Sequence, residues 1–267
     1  STGTTFEFKD YSPKALFGGP MLRRSPGFFT WLDIDSDQRK KVTFGLNLGI
    51  GSSTGKDAGA VNGHNASIWL SAQPSDKLSL SLNPSYNLSN RVIQNVSSAF
   101  YDGNLRYITG TVRQETFSMS FRANYSLTPD LTIQYWGQPF VSKGNYKDYK
   151  YITDPLAPVY TDRFALYSDD QINYDEISSE FTIDENTDGQ IDYSFDDPNF
   201  NFLQFRSNLV LRWEYKPGSE FFLVWTQATT NLGNPDKRLF PSLTSDLFGR
   251  SFDNIFLMKF TYRFVNS

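Results

Sequence analysis

The feature that most constrains the fold is a repeated alternation of apolar and polar residues. In the stretch KLSLSLNPSYNLSN, Leu78, Leu80 and Leu82 alternate with Ser79 and Ser81, and similar segments recur along the chain. Because successive side chains of a strand face opposite sides, a period of two predicts strands with one apolar and one polar face. Helical periodicity is nearly absent, so an all-β chain is expected.

Turn signals divide these segments into about nine strands. The predicted strands are residues 28–35, 40–51, 65–73, 77–89, 105–127, 130–141, 202–216, 220–230 and 253–265, and residues 5–10 are a candidate tenth. Pro84 cannot donate to a ladder hydrogen bond, so it predicts a bulge or a weak point in the pairing.

The predicted connections alternate between short and long. Short turns are expected at 36–40, 74–77, 127–130 and 216–219, and longer loops at 52–64, 90–104, 143–200 and 231–251. This rhythm is typical of an antiparallel transmembrane β-barrel with short periplasmic turns and long external loops. A soluble β-sandwich, the alternative, has turns of more even length.

The polar faces carry charged residues that a closed sandwich core would tolerate only at a cost of several kcal/mol each. They are predicted to line a wet lumen: Arg122, Arg212, Glu214, Lys259 and Arg263. Aromatic residues near strand ends suit an interfacial girdle. They are Trp31, Phe140, Trp213, Tyr215, Trp225, Tyr262 and Phe264.

The last alternating segment ends on aromatic residues, with Phe260, Tyr262 and Phe264 on one parity. It resembles the C-terminal assembly signal of bacterial outer-membrane barrels, and an ordinary final strand is the alternative. The chain has no cysteine, no basic stripe and a net charge of −4, so nucleic acid is not an expected partner. The start of the chain does not read as a signal peptide, which predicts a mature or partial product if the protein is exported.

The sharpest motif for a ligand is DENTDGQIDYSFDD, which predicts a calcium loop. Hard oxygens at alternate positions and a glycine at position 6 suit Ca²⁺. The predicted ligands are Asp184, Asn186, Asp188, Gln190 through its backbone carbonyl, Asp192, and either Asp196 or Asp197 in place of the missing glutamate. An acidic, turn-rich loop without metal is the alternative. A bound ion is expected to stiffen the loop 143–200.

An enzyme is not expected, although two patterns leave an outer-membrane hydrolase open. His64 is the single histidine and precedes Asn65 and Ser67, and a pair of loop carboxylates could act on glycosides. Two of five loop residues would form this pair: Asp169, Asp170, Asp175, Glu176 and Glu180. Residues 236–250 are weakly amphipathic and could form a short helix that plugs a barrel, rests on a membrane or contacts a partner, whereas a loop folded onto its own barrel is the favoured interpretation.

Several stretches resemble one family, a Bacteroidota outer-membrane β-barrel domain of unknown function that usually follows a carbohydrate-binding family-nine-like domain. The matching stretches are residues 18–27, 35–41, 125–146 and 184–227, with RSNLVLRWEYKPGS at 206–219 the most specific. The resemblance implies a larger protein, in which residues 1–267 form the C-terminal part of the barrel. It implies no established activity.

These patterns together predict an integral protein of the bacterial outer membrane. Its role is expected to be transport-related, structural or complex-forming, with external loops that bind a surface partner. The expected partners are outer-membrane lipid, other outer-membrane proteins or lipoproteins, and a surface glycan. A soluble carbohydrate-binding β-sandwich and an outer-membrane hydrolase are the alternatives.

Overall fold

The computed structural model describes residues 1–8, 10–249 and 251–264. Three positions used in the predictions lie outside these ranges. They are Lys9 in the candidate tenth strand, Arg250 in the predicted last loop, and Val265 at the end of the predicted last strand.

The described residues form sixteen strands with few helical turns. The strands are β1 Thr2–Glu7, β2 Asp10–Ser12, β3 Leu22–Arg24, β4 Gly27–Asp35, β5 Val42–Ser53, β6 Val61–Ser75, β7 Leu78–Tyr101, β8 Asn104–Thr128, β9 Leu131–Ile152, β10 Phe164–Leu166, β11 Ile172–Asp175, β12 Glu180–Ile183, β13 Tyr193–Asp196, β14 Phe200–Lys216, β15 Ser219–Leu232 and β16 Asp253–Phe260. The helical turns are 3-10 turns at Gly55–Asp57 and Tyr160–Arg163, the α-helical turn α1 at Leu239–Ser242, and a π-helical turn at Leu243–Leu247. Within the described ranges, no helix is long and apolar enough to cross a bilayer.

One antiparallel sheet contains most of these strands, in the order β1-β4-β5-β6-β7-β8-β9-β14-β15-β16, with β10 paired to β9. Separate small sheets are formed by β11-β12-β13 and by β2-β3. The all-β antiparallel prediction is confirmed, and all ten predicted strands have a counterpart. In the described part of the chain, β1 and β16 stand at opposite ends of the order, so these strands do not form a closed barrel.

The two ends of the sheet differ, as the predicted rhythm requires. Short connections at 36–41, 76–77, 129–130 and 217–218 lie at one end, which we call the turn end. The opposite end carries the connections 8–26, 54–60, 153–199 and 233–252, and we call it the loop end. The connection between β7 and β8 departs from this rhythm, because the turn at Asp102 and Gly103 is short and lies at the loop end.

Two predicted loops are partly wrong, because β7, β8 and β9 are far longer than expected. Residues 90–101 continue β7 and meet β8 across a two-residue turn at Asp102 and Gly103, both with positive φ. Residues 143–152 likewise belong to β9. Register shifts after Arg91 and between Thr109 and Thr111 bend these strands where they leave the common sheet. Pro84 causes no register shift, but the pairing of β7 with β6 is interrupted at Pro84 and Asn83, between the pairs Ser67–Ser85 and Leu70–Leu82, which agrees with the predicted weak point.

The register keeps one face of the sheet apolar across all its long strands, and we call it the apolar face. Leu46 of β5 meets Ile68 of β6, while Leu70 meets Leu82 of β7, which in turn meets Phe121 of β8. Large side chains on this face are open to the surroundings. Those at least 39% exposed include Leu32, Val42, Phe44, Leu48, Ile50, Ile68, Leu70, Trp213, Phe256, Met258 and Phe260.

The opposite face, which we call the polar face, carries small and amide side chains. Asn47 donates to Asp33 at 2.6 Å, and Asn65 donates to Asn47 at 2.8 Å, forming a hydrogen-bonded row across three strands. Large rings there lie over glycines: a Cβ at Gly45 would come within 1.9 Å of the indole nitrogen of Trp69. This glycine therefore leaves the space that the tryptophan fills.

The predicted aromatic girdle is only partly on the apolar face. Trp31 and Phe140 lie on the polar face, because Trp31 pairs with Gly49 and Phe140 pairs with Gln204. Phe140 packs against Phe202 with ring centroids 6.0 Å apart. For these two residues the girdle assignment is wrong, since position near a strand end does not decide which face a side chain occupies.

Beyond the common sheet, the long ends of β7, β8 and β9 are covered on both faces. We call these strand ends, with residues 10–26, 54–60 and 153–199, the loop-end lobe. On one face Ile108 and Tyr149 pack with Tyr167, Ile183, Tyr193 and Phe195, which brings the β11-β12-β13 sheet against the strands. On the other face, Leu16, Leu22 and Ile152 form a second core. The lobe therefore has a packed interior on both faces of its strands.

A buried ion pair joins three loops of this lobe. Arg163 and Asp57 are almost fully buried, with Nη2 3.3 Å from Oδ2. The same guanidinium donates to the carbonyls of Ala157 at 2.9 Å and Arg23 at 3.1 Å. Removing one partner of such a pair leaves a buried charge without compensation, which is strongly destabilising.

Arg163→Met should therefore destabilise the lobe by about 3–5 kcal/mol. Hydrogen exchange of amides in 54–60 and 153–164 should accelerate, while amides of β5 and β6 keep their protection. Arg24→Met is the matched control, because Arg24 is half exposed and its ion pairs with Glu7 and Asp10 span 3.7 and 3.9 Å. Equal exchange in the two variants would contradict a structural role for the buried pair.

Candidate functional site

The apolar face forms a band that has the same height on β7 and β9 and is shorter on β15, where Gln227 follows Trp225. On β7 it runs from Leu78 to Leu88, and on β9 it runs from Leu131 to Val141. Ten residue steps in a strand tilted by about 40° rise roughly 25 Å, which is the height of the apolar band of a transmembrane barrel.

Polar side chains end this band at the loop end. On the same face, the residues that follow the last apolar positions are Asn62, Asn90, Arg113, Glu115, Lys143, Asn145 and Asn201. Asn90 donates to Asn62 at 2.7 Å, and Arg113 pairs with Glu115 at 2.9 Å. The border crosses neighbouring strands from β6 to β14, so it belongs to the sheet as a whole.

The predicted lumen charges lie away from the apolar face. Arg122, Arg212 and Lys259 belong to the polar face, opposite Trp136, Thr132 and Phe222 respectively. The Arg212 guanidinium contacts Glu220 and also lies 3.7 Å from Glu214. Arg263 follows β16, and its backbone N–H donates to Ser219 Oγ at 3.0 Å.

The predicted assembly signal sits at the turn end of the last strand. Phe260 lies on the apolar face and stacks on Tyr215 with centroids 5.1 Å apart. Tyr262 and Phe264 follow the strand with their rings 4.8 Å apart, and Lys216 donates to the Tyr262 hydroxyl at 3.2 Å. Recognition by an assembly machine stays a prediction.

The predicted calcium loop connects β12 to β13 in the loop-end lobe. The Asp184 carboxylate accepts hydrogen bonds from the N–H groups of Asp188 at 3.1 Å and Gly189 at 2.7 Å. Gly189 has φ +86°, a left-handed conformation that favours glycine. Asp192 accepts from the N–H of Glu185 at 2.7 Å, which closes the loop.

Two features of this loop differ from the predicted ligand set. Asp196 pairs with Glu180 at the far end of β13, roughly 10 Å along the strand from Tyr193, so it is not brought to the loop. Among the described residues, no three His, Cys, Asp or Glu side chains are gathered as a metal site. Asn186 donates to Asp188 at 3.1 Å, and Gln190 offers its N–H to Asp188 at 2.9 Å.

Glu185, which sequence reasoning missed, anchors this loop to the long strands. Its carboxylate forms a two-pronged ion pair with Arg106 of β8, with N–O distances between 2.9 and 3.1 Å. The Tyr193 hydroxyl donates to it at 2.5 Å and lies 3.1 Å from the Tyr167 hydroxyl. Burial and the Glu185 hydrogen bond raise the pKa of Tyr193, so this phenol keeps its proton.

A buried lysine lies in the same lobe. The Lys150 ammonium donates to the carbonyl of Val92 at 2.7 Å and to Thr111 Oγ1 at 2.8 Å, and it lies 5.2 Å from the centre of the Phe164 ring. Burial lowers its pKa to about 8. The sequence offered no signal for this position, because the segment KDYKY is typical of a solvated loop.

The chain matches the model of the domain of unknown function DUF5916 over residues 2–266. It belongs to the DUF5916 family. The comparison with curated proteins and the comparison with solved structures returned no match. The family is described as a domain of unknown function, so membership assigns no activity to the chain. The Bacteroidota and outer-membrane context remain predictions.

The carboxylates that could form a hydrolytic pair are placed around turns of the lobe. Asp175 accepts from the N–H of Ile177 at 2.9 Å and from Ser178 Oγ at 3.1 Å, and these bonds lower its pKa. Glu180 pairs in register with Asp175 across β11 and β12. His64 lies on the apolar face between Ile50 and Leu88.

Glu185→Gln should loosen the loop from the strands, since it removes the charge that Arg106 pairs with. We expect a loss of about 2 kcal/mol in the local stability of β11–β13, in the range for hydrogen bonds to charged groups. Amide hydrogen exchange of residues 172–196 measures it. Glu176→Gln changes an exposed carboxylate of the same lobe, and equal protection in both variants would rule out the anchoring role.

Proposed function

We propose that the protein is an integral β-barrel protein of a bacterial outer membrane, and that its apolar face contacts lipid. The sheet would supply part of the barrel wall, with the turn end in the periplasm and the loop end outside the cell. Further strands between the free edges of β1 and β16 would close the wall.

The observation that carries this proposal is the band on the apolar face. Its height of roughly 25 Å suits the bilayer interior, and it continues over neighbouring strands with large side chains open to the surroundings. Soluble monomers rarely expose continuous apolar surfaces of this extent. Lipid would cover these side chains without any further protein layer.

The polar face supports the same arrangement. The row of Asp33, Asn47 and Asn65 and the cluster around Arg212 suit contact with water inside a barrel. A soluble β-sandwich would pack a second large sheet against one face. Among the described residues, the other sheets are β11-β12-β13 and β2-β3, and neither covers the band, of which only the loop-end rows on β9 and β14 are packed under residues 239–247.

The loop-end lobe is the part that we propose to contact a surface partner. It projects beyond the band, and its buried ion pairs fix the shape of its surface. A rigid scaffold of this kind loses little conformational entropy on binding. The partner classes that fit are another outer-membrane protein, a lipoprotein or a surface glycan, and the role is structural or transport-related.

Single labelled cysteines in lipid vesicles test the lipid contact directly, because the chain has no native cysteine. A fluorophore on Leu70→Cys or Phe121→Cys should be quenched by lipids brominated on their acyl chains. The neighbouring variants Ser71→Cys and Ser120→Cys place the same label on the polar face and should keep their fluorescence.

Three results would count against the proposal. Equal fluorescence of all four labels with and without bromine would favour a soluble fold. Quenching of Ser71 and Ser120 instead of Leu70 and Phe121 would place lipid on the wrong face. Recovery of the labelled protein in the aqueous fraction after vesicle flotation would exclude membrane residence altogether.

A second proposal concerns calcium in the loop between β12 and β13. The observation that favours it is the local backbone: Asp184 caps two N–H groups, and Thr187 and Gly189 both have positive φ. The ion would stiffen the lobe, and it would have no catalytic role.

Asp188→Asn should abolish a calcium-dependent rise in the melting temperature of the lobe. The amide keeps an acceptor for the N–H of Gln190 but removes the negative charge that a hard cation requires. Scanning calorimetry with Ca²⁺ and with EDTA measures the difference, and Asp170→Asn is the control in the same lobe. An unchanged wild-type melting temperature on adding Ca²⁺ would contradict the site.

A further inference from the structure

The connection between β15 and β16 folds back over the apolar face at the loop end. Leu239, Leu243 and Leu247 are buried against Val141 of β9 and Leu203 of β14. Tyr86, Phe117 and Phe205 surround this cluster and belong to the same face of the sheet. The helical turns therefore lie on the side that we propose to face lipid.

Polar side chains of the band's border hold the connection in this position. Lys143 Nζ donates to the carbonyl of Lys237 at 2.8 Å, and Asn145 donates to the carbonyl of Pro235 at 3.3 Å. Asn201 Nδ2 lies 2.9 Å from both the carbonyl of Asn234 and Ser242 Oγ. The segment is fixed to the sheet by several direct contacts at one level.

The outward side of the segment carries two exposed phenylalanines beside the polar residues Thr244 and Ser245. Phe240 is 57% exposed and Phe248 is 49% exposed, although each ring also contacts the sheet. Phe240 packs edge-on against Phe117 with centroids 5.4 Å apart, and Phe248 does the same against Phe205 at 5.5 Å. Both rings therefore extend the apolar face outward.

The height of the segment decides which surroundings these rings meet. Val141 and Leu203 occupy the last apolar row before Lys143 and Asn201. This row lies about ten residues above the turn end on β9, at roughly 25 Å. In the proposed orientation that is the level of the lipid headgroups, where amphipathic helices with exposed phenylalanine lie in the membrane plane.

We infer that residues 239–248 form an interfacial anchor that lies in the outer leaflet and inserts Phe240 and Phe248 at the boundary between headgroups and acyl chains. This inference rests on the proposed function. The ligand is the bilayer surface itself. The anchor covers the polar border of β9 and β14. It also gives the barrel a contact with lipid that is made by residues 239–248 and not by its strands.

A label at Thr244 tests the anchor, because Thr244 is exposed and lies between the two phenylalanines in sequence. The full chain carrying fluorophore-labelled Thr244→Cys is placed in phosphatidylcholine vesicles brominated either near the headgroup or near the chain end. We expect quenching about twofold stronger from the shallow bromines. The Leu70→Cys label should respond more to the deep bromines, and an Asp170→Cys label in the lobe should respond to neither.

A second variant separates the anchor from its position on the sheet. Phe240→Ser with Phe248→Ser should remove the quenching at Thr244 and leave that at Leu70 unchanged. Quenching at Leu70 with none at Thr244 would overturn the anchor and leave the proposed function standing. No quenching at either label would overturn both. Crosslinking of two copies of the Thr244→Cys variant through the introduced thiol, without shallow quenching, would assign this surface to self-association and overturn the anchor.

Discussion

In each hairpin of the main sheet, apolar side chains are held opposite apolar side chains. A slip of one residue would move an entire set of leucines and phenylalanines to the other face, because the side-chain period of a strand is two. The matched pairs Leu46 with Ile68 and Leu82 with Phe121 show this register on successive strands. The band, its polar border and the position of the helical segment all depend on it.

The loop-end lobe lies beyond the part of the sheet in which the register keeps one face apolar. Above the border, β7, β8 and β9 no longer have one apolar and one polar side, and both sides of the strands become covered. Tyr149 and Ile108 meet the β11-β12-β13 sheet, while Ile152 meets Leu16 and Leu22. Side chains with charge can then be buried in pairs, as Arg163 with Asp57.

Much of the main sheet could be predicted from the sequence, because alternation and turn residues are local signals. The ten strands and the two unlike ends follow from them. The extra lengths of β7 and β9 could not be predicted, since NVSSAFYDGN and KDYKYIT read as polar loops until the partner sheet covers them. The faces of Trp31 and Phe140 were mistaken because only cross-strand pairing reveals that each belongs to the polar face.

The candidate sites likewise divide into features that local sequence signals indicate and features that only contacts between distant residues reveal. The acidic loop was singled out by its spacing, and calcium binding there stays a prediction. Glu185 was missed because its partner Arg106 is distant in sequence, and Asp196 was placed in the loop although β13 carries it away. Pairings between distant residues leave no local pattern in a single sequence, and this limits sequence-based site prediction.

The order of the sheet also has a consequence for the speed of assembly. Most pairings join strands that are adjacent along the chain, so each hairpin closes a small ring of residues and loses little chain entropy. The widest separation is that of β9 and β14, which residues 153–199 keep apart along the chain. Because this insertion folds into its own three-stranded sheet, it shortens the effective distance between the two strands. The lobe would thereby help to bring β9 and β14 together during folding.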